Sequence, residues 1–295
     1  MRVAVVGLGG VGGYICASLA KVSTDVVGFA RGEHLEKIKQ DGITIVEDEM
    51  SWTQPVDVKE LSEASGYFDL VIFCVKSYDL VDSYKLIEGY CDNQTVMFSL
   101  SNGVSNGDTL RELSNSVVLD ACVYILSHIE KSGVIRKKGK VFALVFGGDE
   151  SSTCRVDEIV KTANLRTKTP QDIKTAIWKK YIFISAFGTL TSYYDKSIGY
   201  IYEHHKYESE EVLKEISDVA RALHVELESE IQKALDTASR VPYDSTTSMY
   251  LDFKNKKRDE LKTLSGYIVE KAETLHVEVP YMKKMYEELL KRHID

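Results

Sequence analysis

The sequence predicts an α/β chain: a doubly wound, mainly parallel sheet in the N-terminal half, followed by an all-helical domain. Three observations predict it. The chain opens on a β-branched apolar run, Arg2-Val3-Ala4-Val5-Val6, which passes directly into Gly7-Leu8-Gly9-Gly10-Val11-Gly12 and then into helical spacing. Further strand-like runs recur at the interval of βα units until about Gly148. Beyond about residue 170 the apolar residues take up a long helical periodicity instead. At 295 residues the chain exceeds what one hydrophobic core usually serves, so two domains suit its length.

The first strand is short and apolar throughout, as a strand buried on both faces should be. After the glycines, Val11, Ile15 and Leu19 fall at helical spacing. Strand, glycine turn and helix together are the context that separates a dinucleotide-binding G-x-G-x-x-G from a glycine-rich turn that binds nothing. Gly7 is expected to permit the tight turn, Gly9 the close approach of a diphosphate, and Gly12 the packing of helix on strand. The helix N-terminus adds backbone N–H groups and the positive end of its dipole. The stretch Gly7, Leu8, Gly9, Gly10, Val11 and Gly12 is therefore assigned to a cofactor, and the N-terminal domain to the Rossmann type.

The second strand, residues 25–30, bears on which dinucleotide. An NAD site would place Asp or Glu near its end, to bind the ribose 2′-hydroxyl. Here the sequence reads Gly28-Phe29-Ala30-Arg31. The missing acid and the cation at Arg31, which can pair with a 2′-phosphate, point to NADP. Residues 43–46, 70–75, 95–100, 117–123 and 141–146 continue the strand series, with helical or mixed segments between several of them, so helices are expected on both faces of the sheet.

The domain boundary is placed near residue 165, ahead of Pro170, giving domains 1–165 and 166–295. In the second, Val212, Ile216, Val219 and Leu223 form one apolar stripe, and Leu261, Leu264, Ile268 and Val269 another. The segment Ala220-x-x-Leu223-His224-Val225 is echoed by Ala272-x-x-Leu275-His276-Val277. Two helices ending alike, each with His in a left-handed cap position, explain the echo better than a repeat or a paired-histidine metal site.

Composition narrows the class. Apolar residues make up 44% and charged residues 28%, too apolar for a disordered chain. Thirty-seven basic against 45 acidic residues give a net charge of −8, which argues against nucleic-acid or acidic-membrane partners. The five cysteines are scattered and form no C-x-x-C pair, so reduced thiols and no metal site are expected. No signal-peptide pattern and no long apolar span is evident, and a cytoplasmic protein is the expectation. A homodimer is expected on the general habits of soluble enzymes, with no stripe marking its interface.

Ligands of doubly wound sheets bind beyond the carboxyl ends of the strands. Two such ends stand out, Cys74-Val75-Lys76-Ser77 and Ser99-Leu100-Ser101-Asn102-Gly103. Lys76 follows a buried strand and needs an anionic partner, whereas Asn102-Gly103 reads equally as a simple turn. In the helical half, Ile177-Trp178-Lys179-Lys180-Tyr181 carries two lysines whose side chains point about 100° apart, so one can reach solvent while the other faces a cleft. Ser245-Thr246-Thr247-Ser248-Met249 could cap a helix, and Asp259-Glu260 could belong to a solvated charged face. Residue physics alone does not choose among these readings.

Taken in order and at their spacings, the G-L-G-G-V-G motif, the C-V-K-S strand end, the S-N-G turn, the W-K-K helix and the distal S-M…D-E-L segment resemble the ketopantoate reductase (2-dehydropantoate 2-reductase) family over essentially the whole chain. The resemblance implies hydride transfer from NADPH to the ketone carbon of a small 2-oxo acid. It implies that Lys180 is the catalytic lysine, polarising the carbonyl and protonating the forming alkoxide. A free lysine has a pKa of about 10.4, so its surroundings would have to lower that for efficient donation near neutrality. By the same resemblance Glu260 orients Lys180, Lys76 and Asn102 serve cofactor and substrate, and Ser248 joins Asn102, Lys180 and Glu260 around the substrate.

The family usually has Asn one turn after the lysine and again four residues later, before a Pro. Here Ile184, Gly188 and Thr189 stand at those places. Two amides fewer means less hydrogen bonding in the substrate pocket, where such contacts carry large discrimination. Ketopantoate is thus the leading candidate among several 2-oxo acids. The competing expectations are an amino-acid or opine-type dehydrogenase and an NADPH-binding redox sensor without turnover.

Overall fold

In the computed structural model, residues 1–22 and 25–292 are described. The strands are β1 (Arg2–Val6), β2 (Asp25–Phe29), β3 (Ile43–Glu47), β4 (Met50–Gln54), β5 (Asp57–Lys59) and β6 (Leu70–Phe73). They continue with β7 (Val96–Ser99), β8 (Val117–Val118), β9 (Asp120–Lys131), β10 (Val134–Gly147) and β11 (Thr167–Lys168). The helices of this part are α1 (Gly10–Ala20), α2 (Gly32–Asp41), α3 (Leu80–Ile87), α4 (Asn106–Leu113) and α5 (Glu150–Thr162).

One sheet runs β5-β2-β1-β6-β7-β8 with every pairing parallel. Numbered among its own members this is 3-2-1-4-5-6, the order of dinucleotide-binding sheets, as the opening motif requires. Alternation along the strands divides two cores. Val3, Val5, Leu70, Ile72, Val96 and Phe98 face one side with Ile15 and Leu19 of α1. Ala4, Val6, Val27, Phe29, Val71 and Phe73 face the other, against Leu80, Tyr84 and Ile87 of α3 and Leu110 of α4. Burial on both faces explains why these strands read as unbroken apolar runs.

Three of the expected strand runs depart from a single parallel series, the one at 141–146 lying in β10 of a second sheet. The run at 43–46 does not join the parallel series: β3 forms a hairpin with β4 and pairs with β10 in a second sheet, ordered β11-β10-β3-β4 with β9 against β10. The run at 117–123 is divided, β8 closing the first sheet and β9 entering the second. One face of the first sheet is therefore covered by α1 together with the second sheet, not by helices alone. Apolar periodicity marks a strand but is silent on its partner. Gly10 and Gly13 of α1 make the close layer contact: a Cβ at Gly10 would fall 2.6 Å from the Ser127 backbone of β9, and one at Gly13 would fall 2.8 Å from Ile135 of β10.

The chain divides into two compact units, Met1–Ser101 with Ser105–Ile173, and Asn102–Val104 with the chain from Lys174 onward. The first reaches past residue 165 because β11 adds to β10. The second is helical: α6 (Ile173–Tyr194), α7 (Ile198–His204), α8 (Lys206–Ala222), α9 (Glu228–Arg240), α10 (Ser248–Lys254), α11 (Tyr267–Leu275) and α12 (Pro280–Arg292), with a π-helical turn at Lys262–Gly266. Val212, Ile216 and Val219 are buried together with Leu261, Leu264, Ile268 and Val269 in its core. α6 is apolar on most sides because it runs through that core.

Both echoed histidines are left-handed, His224 at φ 62° and His276 at φ 56°. The N–H of Val225 reaches the Ala220 carbonyl and that of Val277 the Ala272 carbonyl, both at 2.9 Å, which closes each helix in the same six-residue motif. No helix among the described residues is long and apolar enough to cross a membrane.

Candidate active site

The glycine turn performs three separate steric tasks. Gly7 has φ +93°, and a Cβ there would lie 2.8 Å from Val75. Gly12 packs α1 on the strands so closely that a Cβ would sit 2.0 Å from the Gly7 carbonyl oxygen and 2.8 Å from Cys74 Cβ. Gly9, the N-cap of α1, is the opposite case: a Cβ built there would meet no described atom within 4 Å. Open room before the first-turn N–H groups fits a diphosphate, whose charge the helix N-terminus favours. Leu8 is buried, and its carbonyl accepts a hydrogen bond from His34 Nε2 at 2.8 Å. His34 Nδ1 accepts from the Gly133 N–H at 3.0 Å, so the ring is neutral with its proton on Nε2. This bracing of the turn by α2 and the β9–β10 connection is absent from the motif itself.

Arg31 stands just past β2 as the N-cap of α2, with its side chain 89% exposed. Its guanidinium lies 3.8 Å from Asp79, an acid supplied by the short turn that follows β6 and not by β2 itself. At that exposure the pair is weak, and the guanidinium stays available to a stronger anion. Lys76 follows Val75, the residue that touches Gly7, and is half-buried at the start of a short turn over Ser77–Asp79. The Ser101 hydroxyl donates to the Val75 carbonyl at 2.7 Å, and Asn102 is the next residue. The ends of β1, β6 and β7 are thus neighbours carrying Gly7, Lys76 and Ser101.

The second unit decides between the two lysines. Lys179 turns outward, 47% exposed and 3.8 Å from Glu230. Lys180 is half-buried, and its Nζ donates to Asn102 Oδ1 at 3.0 Å. Asn102 Nδ2 donates in turn to Glu260 Oε2 in a longer contact of 3.4 Å. The amide can stand only one way round in this relay, because a flip would face donor to donor at the lysine and acceptor to acceptor at the carboxylate. Glu260 is 2% exposed, so the reading of it as part of a solvated charged face is wrong. Buried carboxylates require such donors.

Three sequence-predicted residues therefore meet: Lys180, Asn102 and Glu260. Ser248 does not join them; it is exposed at the first position of α10. The hydroxyl that caps α10 belongs to Thr247, which accepts from the Tyr250 N–H at 3.2 Å. Gly188 is buried against Met249 and Leu264, whose side chains would lie 3.5 Å and 3.6 Å from an added Cβ, and Ile184 packs against the helical core. That flank is apolar. Sequence inspection passed over the hydroxyls of Tyr181, Ser185 and Thr189, although their four-residue spacing within an apolar helix was the signal. No disulfide forms among the described residues, and burial holds the Cys16 thiol far above its ordinary range, in the inert protonated form.

Comparison with known proteins finds relatives along essentially the whole chain. Residues 3–149 match the family described as ketopantoate reductase PanE/ApbA, and residues 172–293 match its C-terminal counterpart. An uncharacterized oxidoreductase of Bacillus subtilis, YkpB, is 27% identical over 297 residues, covering 98% of each chain. The crystal structure of a PanE/ApbA family ketopantoate reductase from Ralstonia eutropha superposes with a TM-score of 0.93 at 27% identity, covering 100% of this chain and 99% of the other. That of 2-dehydropantoate 2-reductase from Porphyromonas gingivalis gives 0.85 at 31% identity, over 98% and 99% of the two chains.

Proposed function

The chain belongs to the ketopantoate reductase family, pyridine-nucleotide oxidoreductases acting on CH–OH donors, and on that premise we propose that it reduces 2-dehydropantoate to pantoate with NADPH. The observation that carries the reading is the hydrogen-bonded relay Lys180–Asn102–Glu260. It anchors the Lys180 ammonium on the Asn102 amide oxygen, from where it can donate to a substrate carbonyl oxygen. Lys180 polarises that carbonyl and donates a proton to the alkoxide oxygen as the carbon is reduced. Glu260 acts through Asn102 to keep the ammonium aimed. The bound dinucleotide supplies the hydride. The turn from Gly7 to Gly12 holds its diphosphate, Arg31 takes its 2′-phosphate, and Lys76 contributes positive charge at the neighbouring strand end.

The test is NADPH oxidation against a panel of 2-oxo acids, with Lys180→Ala as control. Turnover of 2-dehydropantoate that vanishes in the variant is the expected result; turnover surviving unchanged would remove Lys180 from the chemistry. One observation favours a second reading, a different and more apolar 2-oxo acid: Gly188 is lined by Met249 and Leu264. A branched aliphatic or aryl 2-oxo acid outperforming 2-dehydropantoate in kcat/KM would establish it. Tight NADPH binding with no turnover on any substrate would instead favour the sensor.

A further inference from the structure

Behind the relay, and one residue along from Lys180, runs a buried ladder of hydroxyls. Tyr181, Ser185 and Thr189 are spaced four apart on α6 and so share one face; none is more than 1% exposed. All three address the same segment, the π-helical turn Lys262–Gly266. The Tyr181 hydroxyl lies 2.6 Å from the Leu264 carbonyl and 3.1 Å from that of Thr263. Ser185 donates to the Leu264 carbonyl at 2.9 Å, and Thr189 shares a 2.7 Å hydrogen bond with the Ser265 hydroxyl.

Leu264 has a second attachment through its other peptide group: its N–H donates to the Glu260 carbonyl at 2.9 Å. A continuous path therefore leads from α6, through the Tyr181 and Ser185 hydroxyls, to Leu264, to the Glu260 backbone, and by the Glu260 carboxylate through Asn102 back to Lys180 on α6. A π-turn shifts the hydrogen-bonding register of a helix, and such turns occur frequently at functional sites. Here two hydroxyls of the ladder, Tyr181 and Ser185, converge on one carbonyl of the turn, that of Leu264.

We propose that Tyr181, Ser185 and Thr189 are positioning residues of the reductase: they hold the π-turn at the register in which Glu260 meets Asn102. The assignment rests on the proposed role of Lys180 and Glu260. Thr189 also donates to the Ser185 carbonyl at 2.7 Å, which ties the end of the ladder to its middle.

The test is a cycle of substitutions, read in two ways. Tyr181→Phe with Ser185→Ala should lower kcat about tenfold and leave the KM for NADPH unchanged. The same pair placed on Glu260→Gln should change kcat less than about twofold, because the carboxylate it positions is gone. Ser185→Thr, which keeps the hydroxyl, should restore most of the loss. In the cofactor-free protein, the modification rate of Lys180 by an amine reagent at fixed pH should rise about two- to threefold in the double variant, as the ammonium loses its carboxylate, and not in the Glu260→Gln background. Should Tyr181→Phe not fold, Ser185→Ala alone carries the comparison. Equal losses of kcat in both backgrounds, or a parallel rise in the KM for NADPH, would reduce the ladder to general packing and overturn the proposal. If Glu260→Gln alone leaves kcat at the wild-type level, the relay reading fails instead, and the labelling rate still decides whether the ladder sets the surroundings of Lys180.

Discussion

The glycine turn and the Lys180 relay solve opposite problems. In the turn the groups proposed to bind are backbone N–H groups, so what matters is the absence of side chains, and the whole device spans six consecutive residues. Its tolerances are steric: a Cβ at Gly12 has only 2.0 Å to the Gly7 oxygen. In the relay the working atoms are side-chain termini, contributed by residues 78 and 158 positions apart in sequence. Its tolerances are chemical, since each member must be a donor or an acceptor in one order. The first device fails when an atom is added and the second when one is removed.

The largest effect expected from this contrast is at Lys180. Lys180→Ala should lower kcat by about two to four orders of magnitude, while a fluorescence titration shows NADPH affinity unchanged. Loss of NADPH binding in that variant would break the separation of roles. Gly12→Ala should do the reverse, weakening NADPH binding by roughly ten- to a hundredfold and lowering Tm, because α1 must move off the strands to admit the methyl group. A variant that binds normally would mean the turn has slack that its contacts deny.

Arg31→Ala comes next: the KM for NADPH should rise about tenfold while that for NADH stays within about twofold. Equal changes would take the 2′-phosphate away from Arg31, whose present partner is Asp79. The smallest effect is structural and confined to the first unit. Asp149 caps α5 by accepting from the Ser152 N–H at 2.8 Å, and that hydrogen bond holds its carboxyl below the ordinary carboxylate range. A lowered pKa contributes stability that is present above the ordinary carboxylate pKa of about 4 and is lost as pH falls through the folded value. Asp149→Ala should therefore lower Tm by a few degrees at neutral pH, with the difference from wild type shrinking on acidification below about pH 4. A constant difference across that range would exclude the cap as its source.

Much of the first unit is legible in the sequence. The strand, the glycines and the helix are contiguous, and their patterns are local properties of the chain. The left-handed histidines are legible for the same reason: a helix end is decided within six residues, and the echo at His224 and His276 marks two of them. Partner choice is not legible, so residues 43–46 look like one more parallel strand when β3 belongs to the second sheet. The candidate site is legible only in pieces. Lys180, Asn102 and Glu260 each have a bland alternative reading that residue physics does not dismiss; resemblance to a family sets those alternatives aside, and Glu260 is settled only by its burial. Ser248 carries the same resemblance yet is exposed on α10, with Thr247 taking the capping task.

The sequence by itself determined the Rossmann-type opening, the helical second half, the glycine turn and the cation at Arg31, because those depend on neighbours along the chain. Tertiary structure decided which of Lys179 and Lys180 is held inward, where the carboxylate that answers it comes from, and that a buried row of hydroxyls on α6 grips the turn beside Glu260. Those outcomes depend on distances between segments far apart in sequence, which no periodicity or spacing encodes.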